Sequence, residues 1–218
     1  MQVFSQKDED GYPTWNERAI TAKDQIQKLK NGALLVRLPT KRPSIDAMRE
    51  KGLNKQADAL QSKVFAQNLD IVESFRSQFD FCPVYFFYSH DSKYVRELQL
   101  DSVLFLNDDL EEDESIKVVE DDYFTAEFTL LAPKQYKVKN IPDSQEKNSN
   151  YRNEAKYYGG ANMRFHALII KDEEFTQLDN PFPYYTRTLN SFFIKRKMAD
   201  VVSIMNGKLY RYHSNVTQ

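Results

Sequence analysis

The sequence predicts an α/β protein of one domain, built on a layered mixed sheet with parallel central strands and antiparallel C-terminal strands. Two apolar runs, 83–88 and 102–106, are rich in aromatic and β-branched residues, which is typical of strands covered on both faces. A long helical pattern precedes the first run and a short one separates the two, and this alternation favours parallel neighbours. A chain of 218 residues suits a single domain.

Each element of the first half is predicted from its hydrophobic period and from the residues that end it. Asn31-Gly32 ends a modest amphipathic helix, Pro39 stops the first strand, and Gly52 is expected to split a long helical segment. The predicted elements are an N-terminal arm with a helix over 17–30, a strand over 33–38, a split helix from 43 to 79, a strand over 83–88, a helix over 91–100 and a parallel strand over 102–106.

The pattern changes after Asn107. The acidic run over 108–114 predicts a solvated loop, because it lacks the glycine and the spacing of an EF-hand calcium loop. Residues 123–131 alternate more, which is typical of an antiparallel or edge strand. The remaining predicted elements are a long polar loop over 133–156, a strand over 163–170, a rigid loop over 181–185 and a final amphipathic helix from 198.

Composition excludes several classes of function. The net charge of −2 and the pI of about 6.0 indicate no basic field for nucleic acid, and no run is long enough for a transmembrane segment. The lone Cys82 excludes an internal disulfide and is expected to be buried as a small hydrophobe. No glycine-rich phosphate loop or zinc-ligand spacing is present, so we predict no cofactor and no metal. Residues 31–212 are expected to form the domain, and 213–218 a tail.

Candidate site residues follow the predicted parallel strands, because ligands in open α/β sheets bind beyond the carboxyl ends of the strands. Lys41 and Arg42 lie beside a helix start, with Ser44 in its first turn, and these three are candidate ligand-binding residues for an anion. His90 and Asp91 follow the next strand and are the candidate catalytic pair, with His90 suited to act as an acid or a base. The competing interpretation at both places is an ordinary capped helix start with solvated side chains.

A double glycine, Gly159-Gly160, precedes the strand at 163–170. It permits a positive φ, a bulge or a close approach of another backbone. One interpretation is a tight turn with aromatic packing. The other is a ligand-binding rim formed by Tyr157, Tyr158, Asn162 and Arg164.

Three segments, residues 79–89, 103–108 and 157–165, resemble an uncharacterised family of Bacteroidetes proteins, and the resemblance runs from about Asn31 to Tyr212. It implies an exported protein, located in the periplasm or the cell envelope after removal of a leader, with a possible envelope protein partner. It implies no activity, cofactor or catalytic residue. The N-terminal residues themselves show no signal-peptide pattern, which on its own indicates the cytoplasm.

The first function that these observations favour is an exported binding or assembly module without a catalytic motif. Aromatic residues in predicted loops support it, because exposed aromatic patches mark partner sites. These residues are Tyr12, Trp15, Tyr184 and Tyr185. The last helix is basic, which suits either an acidic partner or plain surface exposure.

The alternative function is an enzyme that acts on an anionic or phosphorylated small molecule at the carboxyl edge of the parallel strands. In this hypothesis the two cations hold the anion and His90 exchanges a proton. Asp91 or Asp108 would orient the histidine or hold a metal ion. The sequence does not decide whether the protein is an enzyme.

Overall fold

A computed structural model describes residues 13–131, 165–189 and 196–217. The strands are β1 (Ala33–Leu38), β2 (Val84–Tyr88), β3 (Phe105–Leu106), β4 (Tyr123–Leu130), β5 (His166–Lys171) and β6 (Tyr185–Arg187). The helices are α1 (Trp15–Asn31), α2 (Arg42–Glu50), α3 (Asn54–Gln78), α4 (Ser92–Arg96) and α5 (Met198–Thr217), with 3₁₀ turns at Ser89–Asp91 and Leu100–Ser102. The strands form one sheet in the order β3-β2-β1-β4-β5-β6.

The parallel centre of the sheet is confirmed. β1 pairs in parallel with β2 on one side and with β4 on the other, and the outer pairs are antiparallel. The prediction of a parallel strand over 102–106 is wrong, because β3 has two residues and runs antiparallel to β2. The five residues of α4 rise only about 7 Å, roughly half the length of β2, so the helix does not return the chain to the amino end.

Two further strands differ from expectation. Residues 123–131 do not form an edge strand, since β4 lies inside the sheet between β1 and β5; its antiparallel character holds towards β5. β6 begins at Tyr185, inside the segment predicted as a rigid loop, and forms one edge of the sheet. The sheet therefore ends beside α5, which contacts β6.

Local sequence explains where the helices begin and end. Thr14 caps α1 in a reciprocal capping box with Glu17, and the buried Gly32 ends the helix. Gly52, with a φ of 74°, separates α2 from α3 as predicted. α5 continues through Thr217, so it includes residues 213–217. In the part of the chain that the structure describes, no helix combines the length and apolarity of a bilayer span.

One face of the sheet is covered by α1, α3 and α5. Alternate residues of β1 point to this face and form the larger core with residues of the three helices. Representative members of this core are Ile26, Leu29, Leu34, Val36, Leu38, Phe75, Phe86, Val202 and Leu209. Cys82 is buried at its margin as predicted, and burial raises the pKa of its thiol to about 12.

The opposite face carries a smaller core under α4 and the loops that follow it. Leu35, Phe87 and Phe105 of the sheet contribute to it, together with Val95 of α4. Among the described residues, the first face therefore has many more buried apolar side chains than the opposite face.

Side chains or neighbouring segments occupy hydrogen-bonding groups at both edges of the sheet. Lys208 Nζ donates to Tyr185 O at 2.8 Å, and Arg196 Nη1 donates to Arg187 O at 3.1 Å, so two cations occupy the outer carbonyls of β6. At the other edge, the chain beyond β3 folds back on it through a bridge between Leu106 and Glu112.

Candidate functional site

The carboxyl end of β1 lies at a switch point of the topology. The chain leaves β1 towards β2 on one side, whereas it continues from β4 to β5 on the other side. A crevice outside the carboxyl ends of parallel strands forms where the connections diverge in this way. The fold thus places the predicted edge residues where α/β proteins bind ligands.

The two predicted edge loops meet. Leu38 and Tyr88 are in register at the ends of β1 and β2. Beyond them, Thr40 N donates to Ser89 Oγ at 3.3 Å, and the hydroxyl oxygens of the same two residues lie 3.3 Å apart. The loop that carries Lys41 is therefore a direct neighbour of the loop that carries the candidate catalytic pair.

The three predicted anion ligands begin α2. Lys41 adopts the left-handed conformation with a φ of 52° at the N-cap, and no side chain caps the helix. Lys41, Arg42 and Ser44 are all exposed. Burial raises the pKa of Tyr88, and the nearby positive charge of Arg42 opposes this rise. The first loop is thus open to solvent and basic.

The predicted catalytic pair is close but is not hydrogen-bonded. His90 Nε2 lies 3.8 Å from Asp91 Oδ1, which is beyond hydrogen-bond distance. The His90 ring stacks on Tyr88 with 5.7 Å between ring centroids. Asp91 is buried at 8% exposure. The predicted rim of Tyr157, Tyr158, Asn162 and Arg164 lies outside the described residues.

An ion-pair network on the second face of the sheet was not predicted. Glu127 of β4 accepts from Lys171 Nζ at 2.5 Å and from Arg37 Nη1 at 2.6 Å. Arg37 Nε also donates to Ser92 Oγ at 2.7 Å, and this hydroxyl donates to Ser89 O at 2.7 Å. The network therefore joins β1, β4 and β5 to the second edge loop.

The two cations of this network lower the pKa of Glu127. Burial alone would raise the pKa, but the hydrogen bonds and charges of Lys171 and Arg37 outweigh burial, and the pKa is lowered. A charge inside an otherwise apolar strand, such as Arg37 in β1, was the sequence signal for such a pair. The partner of Arg37, Glu127, is 90 positions away in the chain, so the sequence alone does not identify it.

A groove of about 360 Å³ lies between α5 and the segment that leads into β6. Its described lining residues are Asn180, Pro181, Phe182, Pro183, Tyr184, Tyr185, Lys208, Arg211, Tyr212 and Asn215. Two of these are cations, and none of them is a carboxylate. Burial lowers the pKa of Lys208, and the neighbouring positive charge of Arg196 lowers it further.

Two aromatic side chains of the groove, Phe182 and Tyr184, are buried and do not form an exposed patch. Phe182 is fully buried, with its ring centroid 6.4 Å from Phe124 and 6.3 Å from Tyr212. Tyr184 is buried at 8% exposure, so the expectation that it is an exposed loop residue is wrong. Burial, with the charges of its neighbours, raises the pKa of Tyr184 to about 12 and keeps its hydroxyl neutral.

Of the other two aromatic residues singled out in the sequence, only Trp15 is described, and it is not among the lining residues of the groove. Trp15 is the first residue of α1 and is 58% exposed, and Tyr12 lies outside the described residues. Within the described ranges, no three His, Cys, Asp or Glu side chains form a group suited to hold a metal ion.

Comparison with known proteins assigns no function to these sites. No protein-family model, no curated protein and no solved structure matches the chain. The groove and the carboxyl edge are therefore the two places in the described residues from which a function is inferred.

Proposed function

We propose that the protein is a non-catalytic binding or assembly module whose partner binds in the groove between α5 and residues 180–185. The observation that carries the proposal is that Lys208 and Arg211 both line the groove, whereas none of its described lining residues is a carboxylate. Cations on folded surfaces usually have acidic neighbours, and a concave site that lacks them favours an anionic occupant.

The groove has the rigidity that a binding site requires. Its floor is Phe182 and Tyr184, which belong to the main core, and one wall is the regular helix α5. Binding to a wall that is already ordered avoids the loss of side-chain and loop freedom that otherwise weakens association.

The proposal includes an envelope location, which the resemblance of the three segments supports. Fractionation of the source cells, with the protein detected by an antibody, checks this part. We expect the protein in the periplasmic or envelope fraction. Recovery in the cytosol alone would contradict the location while leaving the groove untouched.

Affinity capture with matched charge variants tests the binding function. We expect immobilised wild-type protein to retain a stoichiometric envelope partner, and Arg211→Glu to lose it, because the variant places a negative charge in the groove. Lys63→Glu on the exposed face of α3 makes the same change of charge elsewhere and should retain the partner. The proposal fails if no partner depends on the groove residue.

The enzyme hypothesis keeps one specific support at the carboxyl edge. Asn68 Nδ2 donates to Pro39 O at 3.0 Å, and the buried Oδ1 of this residue has no partner among the described residues. An unpartnered buried acceptor beside the loop of Lys41 is unusual, and it would suit a hydroxyl or amine of a substrate rather than its anionic group. Unchanged turnover of His90→Ala across a panel of phosphate and carboxylate esters would remove this alternative.

A further inference from the structure

We propose that the natural occupant of the groove is an extended acidic peptide segment of a partner protein, whose carboxylates bind Lys208 and Arg211. This inference rests on the proposed binding function and names the chemistry of the ligand. It follows from three features of the groove: the donors that it offers, the edge of the sheet that it adjoins and the burial of its aromatic rings.

The charged groups that line the groove are hydrogen-bond donors without acceptor capacity. The ammonium group of Lys208 has three N–H bonds, and among the described residues its acceptor is the carbonyl of Tyr185 alone. Arg211 is exposed and adds a planar guanidinium group that matches a carboxylate in bidentate geometry. A ligand rich in acceptors therefore matches these two side chains.

The edge of the sheet adds backbone donors beside these side chains. Ile170 N donates to Tyr184 O, and Thr188 N donates to His166 O. Because backbone groups alternate in direction along a strand, the backbone N–H and C=O groups of Tyr185 and Arg187 point away from β5. The carbonyls of both residues are occupied by Lys208 and Arg196. Their N–H groups have no acceptor among the described residues, so this edge also presents donors to an extended chain.

The burial of the aromatic rings favours a peptide over a sugar. Carbohydrate ligands stack on exposed aromatic faces, whereas Phe182 and Tyr184 have their rings packed in the core. The half-buried rings that remain, on Tyr185 and Tyr212, are short apolar surfaces flanked by cations. Such a surface suits alternating apolar and acidic side chains of an extended segment.

The test uses a short acetylated peptide of alternating Glu and Val, with the Gln and Val peptide as its uncharged match. Amide chemical shifts of the full-length protein report the site of binding, and a titration gives the affinity. We expect the acidic peptide to perturb residues 180–185 and α5, and to bind about tenfold more tightly than its uncharged match. We expect added salt to weaken it.

Two groove variants and one control connect the affinity to the named residues. Arg211→Gln and Lys208→Gln should each weaken the acidic peptide by about tenfold. Glutamine removes the positive charge at each position and keeps a side-chain hydrogen-bond donor. Lys63→Gln should bind as the wild type does.

The outcomes separate the ligand chemistry from the binding function. Equal binding of the charged and uncharged peptides, or tighter binding of an acidic oligosaccharide at the same residues, overturns the acidic-peptide inference and leaves the groove as a binding site. Unchanged affinity in both groove variants also overturns the inference. A groove that no probe perturbs, together with no captured partner, overturns the proposed function as well.

Discussion

Glu127 holds a carboxylate between two cations that come from the neighbouring strands β1 and β5. Its folded pKa lies below the ordinary value of 4.5, so the charged form is favoured by folding. A lowered pKa of this kind stabilises the protein at pH values above the unfolded pKa, and that contribution is lost as the pH falls through the lowered folded pKa.

Glu127→Gln should lower the free energy of unfolding at pH 7 by about 2 kcal/mol, because it leaves Arg37 and Lys171 side by side without a counter-charge. The partial exposure of Arg37, at 32%, keeps the loss below that of a fully buried pair. Urea denaturation followed by circular dichroism measures it. The difference between variant and wild type should shrink as the pH falls below the ordinary pKa of 4.5, because the unfolded chain then binds a proton that the folded carboxylate still resists.

The control for this prediction is an ion pair on the surface. Asp24 and Lys28 lie one turn apart on α1, with both side chains about half exposed. Asp24→Asn should change the free energy of unfolding by less than about 0.5 kcal/mol. If the two substitutions had equal effects, the strand network would have no special role.

At the scale of elements, Gly32 at the end of α1 and Gly207 within α5 differ in the space available for a side chain. A Cβ at Gly32 would lie 2.2 Å from Asp122 O and 2.8 Å from Lys28 O, so the end of α1 packs directly on the backbone before β4. A Cβ at Gly207 in α5 would meet nothing within 4 Å. The same substitution therefore has opposite consequences at the two positions.

Gly32→Ala should destabilise the protein by about 3 kcal/mol, because neither clashing atom belongs to a side chain that can move aside. Gly207→Ala should stabilise it by about 0.5–1 kcal/mol, since alanine loses less conformational freedom in a helix. Thermal denaturation of both variants measures the two signs. A stable Gly32→Ala protein would mean that α1 ends differently from the structure described.

At the scale of the whole molecule, the parallel pairing of β1 with β2 and the antiparallel C-terminal strands were predictable, whereas the orientation of β3 and the existence of β6 were not. β1 is buried on both faces, and a long helical connection precedes β2. The apolar pattern of the strand and the length of the connection both indicated a parallel pair. β6 was missed because its three residues follow two prolines and gain their pairing from β5. Short strands of this kind are set by tertiary contacts rather than by their own sequence.

The candidate sites divide in the same way. Lys41, Arg42, His90 and Asp91 were predictable as edge residues, because each follows a strand end. The groove needs α5 to lie beside residues 180–185, and the contact between Lys208 and Tyr185 spans 23 positions. The basic helix and the aromatic loop were each visible in the sequence, but their meeting is a property of the folded chain.

In the described part of the chain, the unequal apolar cover of the two sheet faces predicts an unequal distribution of stability. α1, α3 and α5 bury one face, whereas within α4, which is described throughout, the buried residue is Val95. Segments with few buried apolar contacts open locally at a lower free energy than the whole protein unfolds. The 89–102 segment should therefore open without unfolding of the sheet.

Native-state hydrogen exchange followed by mass spectrometry measures this difference. Amides of β1 and β4 should exchange through global unfolding, and amides of residues 89–102 should show at least about tenfold lower protection. Substitution of Val95 by alanine should raise exchange in that segment while the protection of β1 changes less. Equal protection in both regions would mean that the thinly covered face unfolds together with the rest, and that the carboxyl edge at His90 is as rigid as the centre of the sheet.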